Sequence, residues 1–403
     1  MKKVFFLGAV ALLSSCASLR VPLSALRPGG GEELSAVIAA GGDVNAVYPG
    51  GISPLMEASY RNLPDIALLL IDAGAHIEAR DKDGFTALMY AAAGGAVSPA
   101  ELLVQKGART QAKEYLTGKT ALFFAVENNS PRMVKILFSS EEAVFDGGVT
   151  ALMHASARGV TEACAELIKS GADIKKKDDL GRDALFHAVK NNMIKTADIL
   201  IRSGASVKAE YDSGLLHLAA AKNNIDMIKL LLGAGADMSV RDRHAFSPFG
   251  EAVRSGSFEA ASFFLGSGAL ANERQGDLTP LMIAAKNNDL KMASLLTENM
   301  ADVGAASSDG TTALFYAAMR NYHVIAEFLI GMLADVNAAD AKGWTPLMAA
   351  VAENSLETAR LLIKNGADIN ARNAEALNAL EIAKYKRNDK MISALKASGA
   401  REY

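Results

Sequence analysis

The stretch Asp335-Val336-Asn337-Ala338-Ala339-Asp340-Ala341-Lys342-Gly343-Trp344-Thr345-Pro346-Leu347 decides the fold. Its first nine residues form a polar, turn-rich finger. Thr345 then supplies a hydroxyl cap, and Pro346 takes the first helical position, where its missing N–H costs nothing. Two short helices follow, closing on Leu361-Leu362-Ile363-Lys364-Asn365-Gly366-Ala367, where Gly366 provides the left-handed residue that ends the second helix. Aligning the chain on the apolar residue after the cap gives Leu55, Leu88, Leu122, Leu152, Leu185, Leu216, Phe249, Leu281, Leu314, Leu347 and Leu380, spaced by 30 to 34 residues. Eleven units result. Ser53-Pro54, Ser247-Pro248 and Thr279-Pro280 repeat the cap, and Thr86-Ala87, Thr120-Ala121 and Thr150-Ala151 keep its hydroxyl without the proline.

These residues resemble the ankyrin repeat from Glu32 to about Ala400. The resemblance implies an all-α ankyrin-repeat solenoid of about eleven helix-turn-helix units with short β-turn fingers, its stability close to a nearest-neighbour sum. Residues 32–41 read as an N-terminal half-repeat cap, 42–376 as repeats 1–10, and 377–403 as a C-terminal capping repeat with Glu381, Lys384, Lys386 and Lys390 on its surface. Composition agrees: 50% of the 403 residues are hydrophobic, 22% charged and 6% aromatic, which excludes disordered, collagen-like and polytopic membrane chains. The net charge of -3 gives no overall attraction for nucleic acid, and none is expected as a partner. Three departures stand out. Unit three ends Phe138-Ser139-Ser140 without glycine, predicting a bend or looseness over 138–148, and Met300 and Leu333 stand where units eight and nine should have glycine.

The N-terminus has its own logic. Lys2-Lys3 precede ten apolar residues, Val4 to Leu13, too few to span a bilayer. Leu13-Ser14-Ser15-Cys16 resembles the lipobox of bacterial lipoproteins. The resemblance implies a signal peptide over 1–15, a lipidated Cys16 that anchors the chain in the membrane, and a flexible tether over 16–31. It also implies an exported protein of the cell envelope, at the outer membrane or facing the periplasm. Cys164, the one other cysteine, then has no intramolecular partner and reads as a buried, inert thiol.

Lys-Asn-Asn recurs at 190–192, 222–224 and 286–288. Seven residues after each anchor stands Asn62, Gly95, Asn129, Gly159, Asn192, Asn223, Gly256, Asn288, Asn321, Asn354 or Arg387, so one asparagine of each copy is the left-handed turn between the two helices. The cations are a separate signal. Arg158, Lys190, Lys222, Arg254, Lys286 and Arg320 form a ladder of one per unit at the end of the first helix, the concave side in ankyrin proteins. Two readings stand: favourable charge at a helix C-terminus, or a basic stripe for an acidic partner segment. The finger residue before the cap is the family's other contact position, and here Phe85, Arg182, Phe246 and Trp344 occupy it.

No nucleophile elbow, phosphate loop, paired catalytic acid or metal-hydrolase motif is present. His154, His187 and His217 lie near neighbouring anchors without a completing ligand set and read as packing, not metal ligands. The expectation is a non-enzymatic, monomeric protein-binding scaffold without cofactor. An inhibitor or immunity protein masking a toxin, and a small-ligand or metal-handling envelope protein, are the alternatives.

Overall fold

The computed structural model describes residues 19–139, 144–208 and 214–401. Its regular structure is helical, and among the described residues β-pairing is confined to four isolated bridges. The chain divides into two compact units, Met1–Ala205 and Ser206–Tyr403. In the first, the helix pairs begin with Pro54–Tyr60 and Pro64–Asp72 and end with Ala184–Lys190 and Ile194–Arg202. In the second they run from Leu215–Ala221 and Ile225–Gly233 to Ala379–Tyr385 and Asp389–Ala397.

Helices of seven to nine residues are too short to persist alone in water. Capping starts them and stacking holds them. The Ser53, Thr86, Thr150, Ser247, Thr279 and Thr345 hydroxyls each accept from the N–H three residues on. In the first unit the anchors Leu55, Leu88, Leu122, Leu152 and Leu185 are buried, as are Leu70, Leu103, Leu137, Leu167 and Leu200 on the second helices. Between them Ala58, Ala91, Ala125, Ala155 and Ala188 are fully buried, small enough to let neighbouring first helices approach. The second unit repeats the scheme with Leu281, Leu314 and Leu347 against Leu296, Leu329 and Leu362. Burying each leucine is worth about 1.5–3 kcal/mol, so the stack is a sum of many similar terms.

All eleven turn positions have positive φ, from 46° at Asn129 to 70° at Gly159, with Arg387 at 55°. The turn reading therefore holds even at the one position without asparagine or glycine. Met300 and Leu333 likewise sit at φ 65° and 67°, so the second helices of units eight and nine end in the same geometry as those with glycine. The backbone turn is kept and the strain is accepted.

The tether expectation is corrected for residues 19–31. Val21, Ala25 and Leu26 are buried, Tyr48 Oη donates to the Val21 carbonyl at 2.9 Å, and the backbone at Arg20 forms an isolated parallel β-bridge with Asp43. Apolar side chains at 21, 25 and 26 give this segment a surface to pack, which a linker lacks. The helix Gly31–Ala39 follows directly. Residues 1–18, with Cys16, lie outside the described residues. At the other irregular place, the second helix of unit three stops at Leu137 and Phe138 is extended, two residues earlier than in most units. Residues 140–143 also lie outside the described residues.

Candidate interaction surface

The first helices and fingers carry the residues that sequence singled out. All six ladder cations are exposed, at the last turn or cap of their first helix. They are not six free charges. Arg158 Nε lies 3.4 Å from Glu127, and Arg254 grips Glu251 through Nε at 2.7 Å and Nη2 at 2.6 Å. Lys286 Nζ stands 5.8 Å over the Tyr316 ring. Lys190, Lys222 and Arg320 have no ion pair among the described residues. An unbroken run of free positive charge is thus corrected at Arg158 and Arg254, where a carboxylate one turn back or on the previous unit meets the guanidinium.

Finger positions are partly spent on packing. Phe85 is half-buried, its ring 5.8 Å from Tyr90 and 5.3 Å from Phe124. Arg182 pairs with Asp178 at 2.8 Å, and His187 Nε2 meets the same carboxylate oxygen at 2.9 Å. Burial lowers the His187 pKa despite that partner, keeping it neutral. Phe246 and Trp344 are half-buried. His217 is buried with Nε2 against the Phe246 carbonyl at 2.8 Å, and His154 pairs with Glu127. Cys164 is fully buried, and burial pushes its thiol up to about 11. Among the described residues no three His, Cys, Asp or Glu side chains are grouped to hold a metal ion, and no helix is long and apolar enough to cross a membrane.

In the first unit the rings connect. From Tyr60 the series runs through Tyr90, Phe85, Phe124 and Phe123 to His154, with successive centroids 4.4–6.3 Å apart. Every member is half-buried or exposed. Edge and tilted ring contacts fix these side chains while leaving apolar area open.

Sequence reasoning missed the third finger. A regular finger spans five residues: Asp340 Oδ1 accepts from Lys342 N at 2.9 Å and Trp344 N at 2.8 Å, and Asp340 N donates to the Trp344 carbonyl. The third spans six, Glu114-Tyr115-Leu116-Thr117-Gly118-Lys119, closed by Glu114 N donating to the Lys119 carbonyl at 3.0 Å. Its longer carboxylate reaches the longer turn, accepting from the Leu116, Thr117 and Lys119 N–H groups at 2.7, 2.6 and 3.0 Å and from the Thr117 hydroxyl. Burial would raise the Glu114 pKa, but these donors outweigh it and hold the carboxyl at about 2. The adjustment reaches the cap, since Thr120 makes no side-chain cap bond and its buried hydroxyl lacks a partner. The signal was present as the 34-residue step from Leu88 to Leu122, the longest in the chain.

Stacked helix pairs with capped starts, left-handed turns and carboxylate-closed fingers define a helical repeat protein. The family model of ankyrin repeats matches residues 30–114, 55–147, 122–211, 216–307 and 281–373, and the chain belongs to that family. A comparison with curated proteins finds no match. Ankyrin repeats generally mediate protein–protein interaction and are typically non-catalytic.

Proposed function

We propose that this protein is an exported, lipid-anchored scaffold of the bacterial envelope that binds a protein partner through its first-helix and finger face. The observation that carries the binding surface is the connected ring series from Tyr60 to His154, an ordered aromatic strip partly open to solvent. Aromatic groups held in place contribute contact area at little entropic cost, the usual makeup of interface anchors. The unpaired Lys190, with Lys222 and Arg320 in the second unit, favours a partner carrying an acidic segment. Envelope placement rests on the sequence alone, on Lys2-Lys3, the apolar run and Leu13-Ser14-Ser15-Cys16. A lipid at Cys16 would raise the effective concentration of the face near envelope partners.

Crosslinking in native envelopes tests the binding part. Tyr60→Ser with Phe124→Ser should remove the dominant crosslinked partner while the helical circular dichroism stays intact; unchanged capture contradicts the assignment. Charge reversal of Lys190, Lys222, Arg254 and Lys286 should weaken capture most at low salt. For the anchor, Cys16→Ala should move the protein from the membrane to the soluble fraction, and retention in the membrane would reject lipidation there.

A further inference from the structure

The third finger and the second one beside it border a cleft of about 530 Å³, walled by Phe85, Phe124, Tyr115 and Leu116 with Lys82, Asp83 and Lys119 at its rim. The two fingers are joined by Tyr115 N donating to the Asp83 carbonyl at 3.0 Å. Tyr115 is seated rather than loose. Its ring lies against Gly84, where a Cβ would come within 2.7 Å of it, and the Arg80 guanidinium covers it at 5.4 Å. Arg80 is itself fixed by bonds to the Gly84 and Lys113 carbonyls at 2.9 and 2.6 Å. Leu116, the next residue, is 88% exposed, and Tyr115 is 66% exposed. Two large apolar side chains are thus held in water by a turn whose own carboxylate makes four internal bonds, a costly arrangement unless something covers them.

Charge indicates what covers them. Arg80, Lys82, Lys113 and Lys119 stand on these two fingers with Asp81, Asp83 and Glu114. Asp81 and Glu114 are buried and turned to internal donors, Asp81 accepting from Tyr90 Oη at 2.8 Å, so Asp83 is the one exposed carboxylate on them. The rim, Lys82 and Lys119 against Asp83, is net positive around an apolar centre. We infer that this cleft is a docking site for a short acidic peptide segment of a partner protein, with one aromatic or aliphatic residue inserted between Phe85, Phe124 and Leu116 and flanking carboxylates on Lys82 and Lys119. The inference rests on the protein-binding function proposed above and gives it a site and a partner chemistry. Rigid framing of the cleft by Glu114 and Gly84 lowers the ordering cost on the protein's side.

A displayed library of random twelve-residue peptides, panned on the full chain in detergent, tests this. Enriched sequences should carry one aromatic or aliphatic anchor next to aspartate or glutamate. Their affinity, read by fluorescence anisotropy, should fall by about tenfold or more with Leu116→Asp and with Lys82→Glu plus Lys119→Glu. Leu116→Met should retain binding, which separates lost contact from lost folding. No enrichment, enrichment of basic or neutral sequences, or indifference to both variants would overturn the site. If that happens while Tyr60→Ser with Phe124→Ser still abolishes envelope crosslinking, only the cleft assignment fails; if crosslinking also persists, the broader face assignment fails with it.

Discussion

The fingers Asp340–Trp344 and Glu114–Lys119 occupy equivalent places in their repeats and solve the same closing problem with different carboxylates. In the regular finger one aspartate oxygen closes the turn, and the tip offers Ala341 and Lys342 to solvent. In the longer finger the extra residue needs the extra methylene of Glu114, and the tip offers Tyr115 and Leu116. A repeat tolerates an inserted residue where the change stays within one turn and the cap beside it, here at the cost of the Thr120 cap bond. Such a turn is where surface chemistry can depart from the stack while the buried anchor Leu122 keeps its place.

Breaking the comparison outright should have the largest effect. Glu114→Ala leaves three backbone N–H groups without their acceptor and should lower stability by about 3 kcal/mol, against about 2 kcal/mol for Asp340→Ala with its two, measured by urea denaturation. Glu114→Asp combined with deletion of Leu116 should recover most of that loss by restoring a five-residue finger. Acid sharpens the same contrast. The folded-state pKa of Glu114 lies below its ordinary value of 4.5, so its stabilisation is fully present above pH 4.5 and is lost as pH falls through about 2. The gap between wild type and Glu114→Gln should therefore close over that interval and stay constant above it.

The helix-to-helix turns offer a second pair. Asn223 Oδ1 accepts from Ala260 N at 2.8 Å, capping the second helix of the next repeat, whereas Asn288 makes no side-chain hydrogen bond among the described residues. Replacing either by alanine meets the left-handed strain of about 1 kcal/mol, and Asn223→Ala should add about 1 kcal/mol for the lost cap. Glycine at 288 should be near neutral, while glycine at 223 should still show the cap's loss. A smaller effect, of opposite sign, is expected at the ends of second helices. Met300→Gly and Leu333→Gly relieve positive φ in an L-residue and should each stabilise by about 0.5–1 kcal/mol in thermal or urea unfolding.

Most of the fold was legible because each repeat states it again. The capping hydroxyl, the seven-residue count to a left-handed turn and the closing Gly-Ala are local rules of hydrogen bonding and φ, and they hold in most repeats; the cap bond is missing at Thr120 and Gly214, and the second helix of unit three ends extended at Phe138. Less of the surface was legible. Exposure of Arg158 and Arg254 could be read from sequence, but their pairing with Glu127 and Glu251 depends on rotamers and on side chains brought together by stacking. Phe85 reads as an exposed finger residue until Tyr90 and Phe124 are seen to flank it. The segment 19–31 looked like linker because it carries Pro22, Pro28 and Gly29-Gly30-Gly31, yet Val21, Ala25 and Leu26 suffice to dock it. Glu114 was hidden because its role follows from a one-residue change in turn length, visible in sequence as spacing and not as a motif.

Amide hydrogen exchange on the full chain, alone and with the partner crosslinked or purified from native envelopes, tests the central claim most directly. Partner binding should slow exchange at residues 80–85 and 113–119 and leave the regular finger at 340–344 unchanged. Protection confined to 340–344, or to the second helices of either unit, would contradict it.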